Sequence, residues 1–226
     1  MTRPTMLVAF SGQGGSAAGW YQAGFDVFCV DTDPKALVRN PFPSARAEAV
    51  EYIGNEGHRF DVIEAGPVCK AYSKTARIWD AGHPEQIPDT RKALANTGRP
   101  YVIENVEEAL PELIEPVMLC GQSFGLRTYR HRLFESNMPL SSPRSAVMQL
   151  NPESCGFVHR YPLAKMGRPV SAGRFYHAVG NFSGVELVRS DLGVAWMNRD
   201  GINQCIPPAY TRYLGSQILE YLRWLP

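Results

Sequence analysis

Short apolar runs alternate with glycine-rich or helical segments through the first 136 residues of the chain. Four runs are typical of buried strands: TMLVAF (5–10), FDVFCV (25–30), FDVIEA (60–65) and YVIEN (101–105). Between them, residues 11–24 predict a tight glycine turn followed by a short helix, and residues 84–98 predict another helix. Residues 47–53 fit either a half-buried strand or a short helix. This order predicts a doubly wound α/β sheet, in which ligands bind at the carboxyl ends of the strands.

The pattern changes in the second half of the chain. RHRLFES (130–136) is typical of a strand, but prolines, glycines and serines then interrupt every period from Met138 to Gly173, which predicts loops carrying short strands. A proline pair opens a final amphipathic helix within residues 206–226. We therefore expect an α/β core at residues 1–136, a small loop-rich region at 137–195, and a segment at 196–226 that packs back on the core.

The composition is that of a folded protein, since 44% of the 226 residues are hydrophobic and 20% are charged. The apolar run near the start is short, which argues against a signal peptide or a membrane span. Five widely spaced cysteines in no metal-binding pattern indicate neither a disulfide framework nor a zinc site. These features predict a soluble intracellular protein in a reducing compartment such as the cytoplasm, with no metal or membrane partner and a monomer as the simplest state.

Basic residues concentrate in one part of the chain. Residues 127–174 contain eight Lys or Arg and two Glu, a net charge of +6, whereas the other residues sum to −5 within a total of +1. Such an asymmetry is expected of a face that meets a polyanion, and a solvated basic loop is the alternative.

The first predicted turn has the composition of a nucleotide site. Gly12, Gly14 and Gly15 directly follow the first strand, so the backbone can approach a ligand at a helix amino terminus. Asp31 ends the second strand, at the distance downstream where an acidic side chain holds ribose hydroxyls. Sites for NAD, FAD and S-adenosylmethionine all use this arrangement, and a purely structural turn is the alternative.

A second candidate site lies in the stretch GPVCKAYS, at the end of the third run. Cys69 falls where the active site of such a sheet is expected, and its basic neighbour would favour the thiolate, although a lone cysteine is more often structural. Glu104 ends the next strand at the same edge of the sheet. Arg130 and Arg132 have a period-two spacing that predicts two cations on one face of a strand. A nucleophile, an acid and two cations are thus expected to converge.

In this order the motifs resemble those of the DNA (cytosine-5)-methyltransferases, and the compact length resembles the orphan enzymes of phages and prophages. Five stretches carry the resemblance across nearly the whole chain: FSGQGG (10–15) for the cofactor, GPVC (66–69) for the nucleophile, ENV (104–106) for the acid, RHR (130–132), and QCIPPAYTRYLG (204–215), which is similar to the closing motif. The resemblance implies a Rossmann-like S-adenosylmethionine-dependent methyltransferase sheet, with a small target-recognition region at residues 137–195.

It also implies a reaction, the transfer of a methyl group from S-adenosylmethionine to C5 of cytosine in double-stranded DNA. Cys69 would add to C6 and make C5 nucleophilic, while Glu104 would bond the N3 edge and supply a proton. Arg132 would hold O2, and Arg130 would support Arg132 or bind a phosphate. Because the target atom lies inside the base stack, the cytosine would be flipped out of the duplex.

The resemblance assigns further residues to binding. The cofactor residues are Phe10 on adenine, Gly12 and Gly14 for the methionine portion, Asp31 on ribose, Glu48 on the adenine amine, and Gly15, Pro67 and Gln204 around the same pocket. The residues expected to contact the DNA are Lys70, Ser73, Arg127, Arg160, Lys165, Arg168 and Arg174.

Departures from the family pattern leave alternatives open. Val68 and Lys70 flank the cysteine where relatives carry proline and glutamine, and residues 203–205 read Asn-Gln-Cys in place of Gly-Asn-Ser. A cation at Lys70 could favour carboxy-S-adenosylmethionine and yield 5-carboxymethylcytosine, or it could simply contact solvent or phosphate. A catalytically silent DNA-binding relic, a nicotinamide-dependent oxidoreductase and an RNA substrate are the other interpretations. The recognised DNA sequence is left open.

Overall fold

The computed structural model describes residues 2–68, 86–143, 161–164, 168 and 173–224. The strands of this part are β1 (Thr5–Ala9), β2 (Asp26–Asp31), β3 (Ser44–Arg46), β4 (Val62–Ala65), β5 (Tyr101–Asn105), β6 (Val117–Leu119) and β7 (Arg132–Ser136). They form one sheet in the order β3-β2-β1-β4-β5-β7-β6. β1 to β5 run parallel, whereas β7 is antiparallel to both of its neighbours.

Helices connect these strands and cover the sheet. Those of the described residues are α1 (Gly15–Ala23), α2 (Pro34–Leu37), α3 (Ala49–Glu56), α4 (Ile87–Asn96), α5 (Val185–Leu192), α6 (Arg199–Gln204) and α7 (Pro208–Arg223). Local sequence explains several of their ends. Gly24, at φ 122°, follows the last residue of α1. Side-chain oxygens of Asp33, Glu48 and Asn198 accept backbone N–H groups in the first turns of α2, α3 and α6.

Both faces of the sheet are covered, which confirms the doubly wound α/β prediction. On one face, α1 and α7 bury large side chains that include Trp20 and Tyr210. On the other face, α3 and α4 bury Ile53 and Leu94 against the strands. Because each face is apolar and covered, the groups of the sheet that a ligand can reach lie at its carboxyl edge.

The structure also differs from the sequence-based expectations. Residues 47–53, which fitted a strand or a helix, belong to α3. β3 and β6 were not predicted, because three residues are too few to show a period. α5 and α6 were missed for a similar reason, since they contain only eight and six residues. The division of the chain at residues 136 and 195 stays a prediction.

Candidate active site at the carboxyl edge of the sheet

The glycine turn lies between β1 and α1. Its backbone is left-handed at Phe10, Gly12 and Gly14, with φ of 59°, 51° and 83°. A Cβ on Gly12 would point into open space, whereas a Cβ on Gly15 would lie 2.7 Å from the sulfur of Cys205. The turn therefore leaves room for a ligand at Gly12 and is closed by the C-terminal segment at Gly15.

Two acidic residues predicted to bind the cofactor lie along the β2 side of this turn. Asp31 accepts hydrogen bonds from Gly12 N at 2.8 Å and from Asp33 N at 2.9 Å. Glu48 is exposed and accepts from Glu51 N at 2.9 Å. Each carboxylate keeps further lone pairs, so these structural bonds leave both side chains able to bind a hydroxyl or an amine.

The C-terminal segment is hydrogen-bonded to the same turn. The Gln13 side chain donates to Asn198 Oδ1 at 2.8 Å and accepts from Asn198 N at 3.1 Å. Trp196 Nε1 donates to Gln13 O at 2.7 Å, and the lack of a side chain at Gly201 leaves the space that the Gln13 amide occupies. Sequence reasoning missed this contact, because Gln13 and Asn198 lie 185 residues apart.

A buried ion pair lies at the ends of β5 and β7. Arg132 Nε is 2.9 Å from Glu104 Oε1, without the alignment of a hydrogen bond. Burial raises the pKa of Glu104, and the charges of Arg132 and Arg130 oppose that rise. The sequence placed both residues at one edge of the sheet. There Glu104 provides a carboxyl that can hold a proton, and Arg132 provides a cation beside it.

Arg130 departs from its expected place. It was predicted to share a strand face with Arg132, but β7 begins at Arg132, and Arg130 precedes it with a left-handed φ of 36°. Its guanidinium donates to Cys205 O at 2.6 Å, to Ala178 O at 3.0 Å and to Asn203 O at 2.8 Å. Burial lowers the pKa of Arg130 to about 10. This side chain therefore joins the start of β7 to the end of α6.

The end of β4 brings the chain next to Glu104. A Cβ on Gly66 would lie 3.3 Å from Glu104 Oε2. Asn105 Nδ2, from the end of β5, donates a buried hydrogen bond to Pro67 O at 3.0 Å. These contacts fix the backbone two residues before Cys69 against the acid, and Asn105 is a further residue that sequence reasoning did not single out.

The predicted nucleophile itself, Cys69, lies outside the described residues, as do Lys70 and Ser73. Val68, directly before it, is exposed, and its N–H donates to Gln86 Oε1 at 3.2 Å. The described chain therefore reaches the candidate site from both sides, at Val68 and at Gln86.

The other predicted binding residues lie near the surface. Gln204 is exposed at the end of α6. Arg168 and Arg174 are exposed, and Arg127 Nη2 donates to the backbone oxygen of Arg174 at 3.5 Å, which places the Arg127 guanidinium against the backbone of Arg174. The other two basic residues predicted to contact DNA in this region, at positions 160 and 165, lie outside the described residues.

The cysteines that the structure describes, Cys29, Cys120 and Cys205, are buried. Burial raises the pKa of Cys29 to about 12 and that of Cys205 to about 11, so neither is a thiolate at neutral pH. Within the described ranges, no group of three or more His, Cys, Asp or Glu side chains is arranged to hold a metal ion. The helices that the structure describes also include none with the length and apolarity needed to cross a membrane.

Solved structures similar to this chain include two that match it over nearly its whole length. A candidate DNA modification methyltransferase encoded within an E. coli prophage is 14% identical, with a TM-score of 0.66 over 97% of this chain and 99% of that chain. The Dnmt2 methyltransferase of S. pombe is 12% identical, with a TM-score of 0.57 over 98% and 100%. No protein-family model and no curated protein matches the sequence. The chain therefore has the Rossmann-like methyltransferase fold of these two structures.

Proposed function

We propose that the chain is a DNA (cytosine-5)-methyltransferase that uses S-adenosylmethionine. The observation that carries the proposal is the buried Glu104–Arg132 ion pair beside Gly66, three residues before Cys69. A carboxyl that can hold a proton, a cation and a nearby cysteine are the groups needed to activate a pyrimidine for attack. A nicotinamide-dependent oxidoreductase with the same glycine turn would leave these groups without a joint role.

The glycine turn fits the cofactor. The free space at Gly12 and the left-handed backbone at Gly12 and Gly14 open the turn to a ligand at the start of α1. Bound S-adenosylmethionine would supply an electrophilic methyl group. The residues we assign to its binding are Phe10, Gly12, Gly14, Gly15, Asp31, Glu48, Pro67 and Gln204.

In the proposed reaction the Cys69 thiolate adds to C6 of a flipped cytosine, and Glu104 gives its proton to N3 as charge develops on the ring. Arg132 holds O2. C5 would then take the methyl group as the bond from methyl to the cofactor sulfur breaks, which leaves S-adenosylhomocysteine. A base would remove the C5 proton, the electron pair of the Cys69–C6 bond would return to the Cys69 sulfur, and the N3 proton would return to Glu104, which restores the aromatic ring. Arg130 contacts no substrate in this scheme and instead holds the end of α6 against β7.

The DNA is assigned to the basic face near Arg127 and Arg174. The guanidinium of Arg127 contacts the backbone of Arg174, and these two residues, with the exposed Arg168, would neutralise phosphates. We assign the other predicted contacts to the same role: Lys70, Ser73, Arg160 and Lys165. Binding should therefore weaken steeply with added salt.

Mass spectrometry of nucleosides tests the proposal, with DNA and RNA hydrolysed separately from cells that express the chain. We expect 5-methylcytosine in DNA, its loss in Cys69→Ala, a strong decrease in Glu104→Gln, and retention in Glu51→Gln, which alters an exposed glutamate. Modified cytosine only in RNA would move the substrate to RNA, and a 5-carboxymethylcytosine mass would assign the carboxylated cofactor. If folded protein with cofactor supply modifies no cytosine, the proposal fails.

A covalent trap separates a transferase from a silent DNA-binding relic. Fluorine at C5 blocks the final elimination, so DNA containing 5-fluorocytosine should form an adduct with the wild-type chain and none with Cys69→Ala. Binding of this DNA by wild-type protein without an adduct would indicate the relic.

A further inference from the structure

Glu64 is a buried carboxyl that the proposed reaction does not use. It lies in β4 with 1% of its surface exposed, and its Oε2 accepts from Trp20 Nε1 at 2.9 Å. Among the described residues, its Oε1 has no hydrogen-bond partner. An ionisable side chain buried in the middle of a parallel strand is costly, which suggests a role beyond packing.

Glu64 and Glu104 lie on the same face of the sheet. Glu64 is in register with Val102 of β5, and Glu104 is two residues further along that strand, where the side chains return to the same face. Gly66, two residues after Glu64, lies against Glu104 Oε2. Diagonal neighbours of this kind are about 8 Å apart, a distance at which buried charges interact.

The surroundings of the two carboxyls differ. The charged and titratable groups that face Glu104 are Arg132 and Arg130 together with the Cys205 thiol. The groups that face Glu64 are the neutral donors Ser16 and Trp20 of α1, the Cys29 thiol of β2, and Glu104. Burial raises the pKa of Glu64 to about 7, and the charge of Glu104 adds to that rise. Both thiols stay neutral near pH 7, so the acids whose charges can interact across this face are the two carboxyls.

We propose that Glu64 is a positioning residue whose ionised carboxylate increases the fraction of Glu104 that carries a proton above neutral pH. Once Glu64 is ionised, its charge disfavours a second negative charge on its neighbour, so Glu104 remains protonated at a higher pH than it would alone. This inference rests on the proposed function, in which protonated Glu104 is the acid of the reaction.

A pH profile of Glu64→Gln tests the proposal, because glutamine keeps the size and an acceptor for Trp20. We expect kcat/KM for DNA methylation to match the wild type near pH 6, where Glu64 is neutral. At pH 9 we expect kcat/KM of Glu64→Gln to be roughly tenfold to thirtyfold lower than that of the wild type. This factor is the interaction of two charges about 8 Å apart at an effective dielectric constant of about 20. The control Glu51→Gln should follow the wild type. A ratio of wild type to Glu64→Gln that does not vary with pH would overturn the inference.

Carbon-13 NMR of the glutamate carboxyls provides a test that needs no substrate. Glu104→Gln removes the negative neighbour, so the titration midpoint of Glu64 should move to lower pH. An unchanged midpoint in the folded variant rejects the coupling, even if Glu64→Gln does not fold. If the midpoint shifts in Glu104→Gln but the wild-type protein methylates no DNA, the coupling stands and the proposed function is rejected.

Discussion

Replacing Arg130 by methionine tests the role that its contacts indicate. The guanidinium binds three backbone oxygens, those of Ala178, Asn203 and Cys205, at 2.6 to 3.0 Å. Methionine retains much of the apolar stem and removes every donor. The carbonyls are left without these partners at the junction of β7, α6 and the segment around Ala178.

The expected loss of stability follows from those carbonyls. Each acceptor that stays buried without its donor costs about 1–3 kcal/mol. Removal of a guanidinium whose pKa is lowered by burial offsets part of this cost, because the cation no longer has to be desolvated. We therefore expect Arg130→Met to lower the free energy of unfolding by about 3–5 kcal/mol, a large share of the roughly 5–15 kcal/mol of a typical domain.

Urea unfolding at pH 7 measures this loss. An unchanged slope of the unfolding free energy against urea concentration would show that the variant still unfolds as a compact protein. Arg212→Met, at an exposed position in α7, is the control and should change the free energy of unfolding by less than about 0.5 kcal/mol. Arg130→Lys should fall between the two, because one ammonium does not span three separate carbonyls. A loss below about 1 kcal/mol in Arg130→Met would refute the reasoning.

Further predictions concern buried polar and glycine positions. The pKa of Glu64 rises from 4.5 to about 7 on folding, so the free energy of unfolding should fall by up to about 3 kcal/mol as pH rises through that window. Urea unfolding at pH 5 and pH 8 should show a larger fall in wild type than in Glu64→Gln, which keeps only the contribution of Glu104. Gly201→Ala should destabilise the protein, because the added methyl group would overlap the Gln13 side chain. Calorimetry should find the same substitution nearly neutral in a Gln13→Ala background, and an equal loss of stability in the two backgrounds would contradict this contact. Gly19→Ala, which would overlap α7, should lower Tm by about 5–10 °C, whereas Gly54→Ala, with open space around it, should not.

The parts of the fold that could be predicted from sequence are those with a local signal. β1, β2, β4 and β5 are apolar runs that end at turns, and the glycine turn before α1 needs backbone conformations that its composition permits. The meeting of Glu104 and Arg132 followed from both lying at one edge of the predicted sheet. The three-residue strands β3 and β6 and the short helices α5 and α6 are not marked by such apolar runs, which is why they were missed.

By itself, the sequence determined the alternation of strands and helices, the glycine turn and the order of the motifs, because each depends on residues close together in the chain. Only the tertiary structure decided what the buried polar groups contact. The backbone at Arg130 turns its side chain to three carbonyls, Gln13 meets Asn198 from the far end of the chain, and Glu64 comes to lie diagonal to Glu104. A buried polar group takes the partners that packing brings within hydrogen-bond distance, and those partners are distant in sequence.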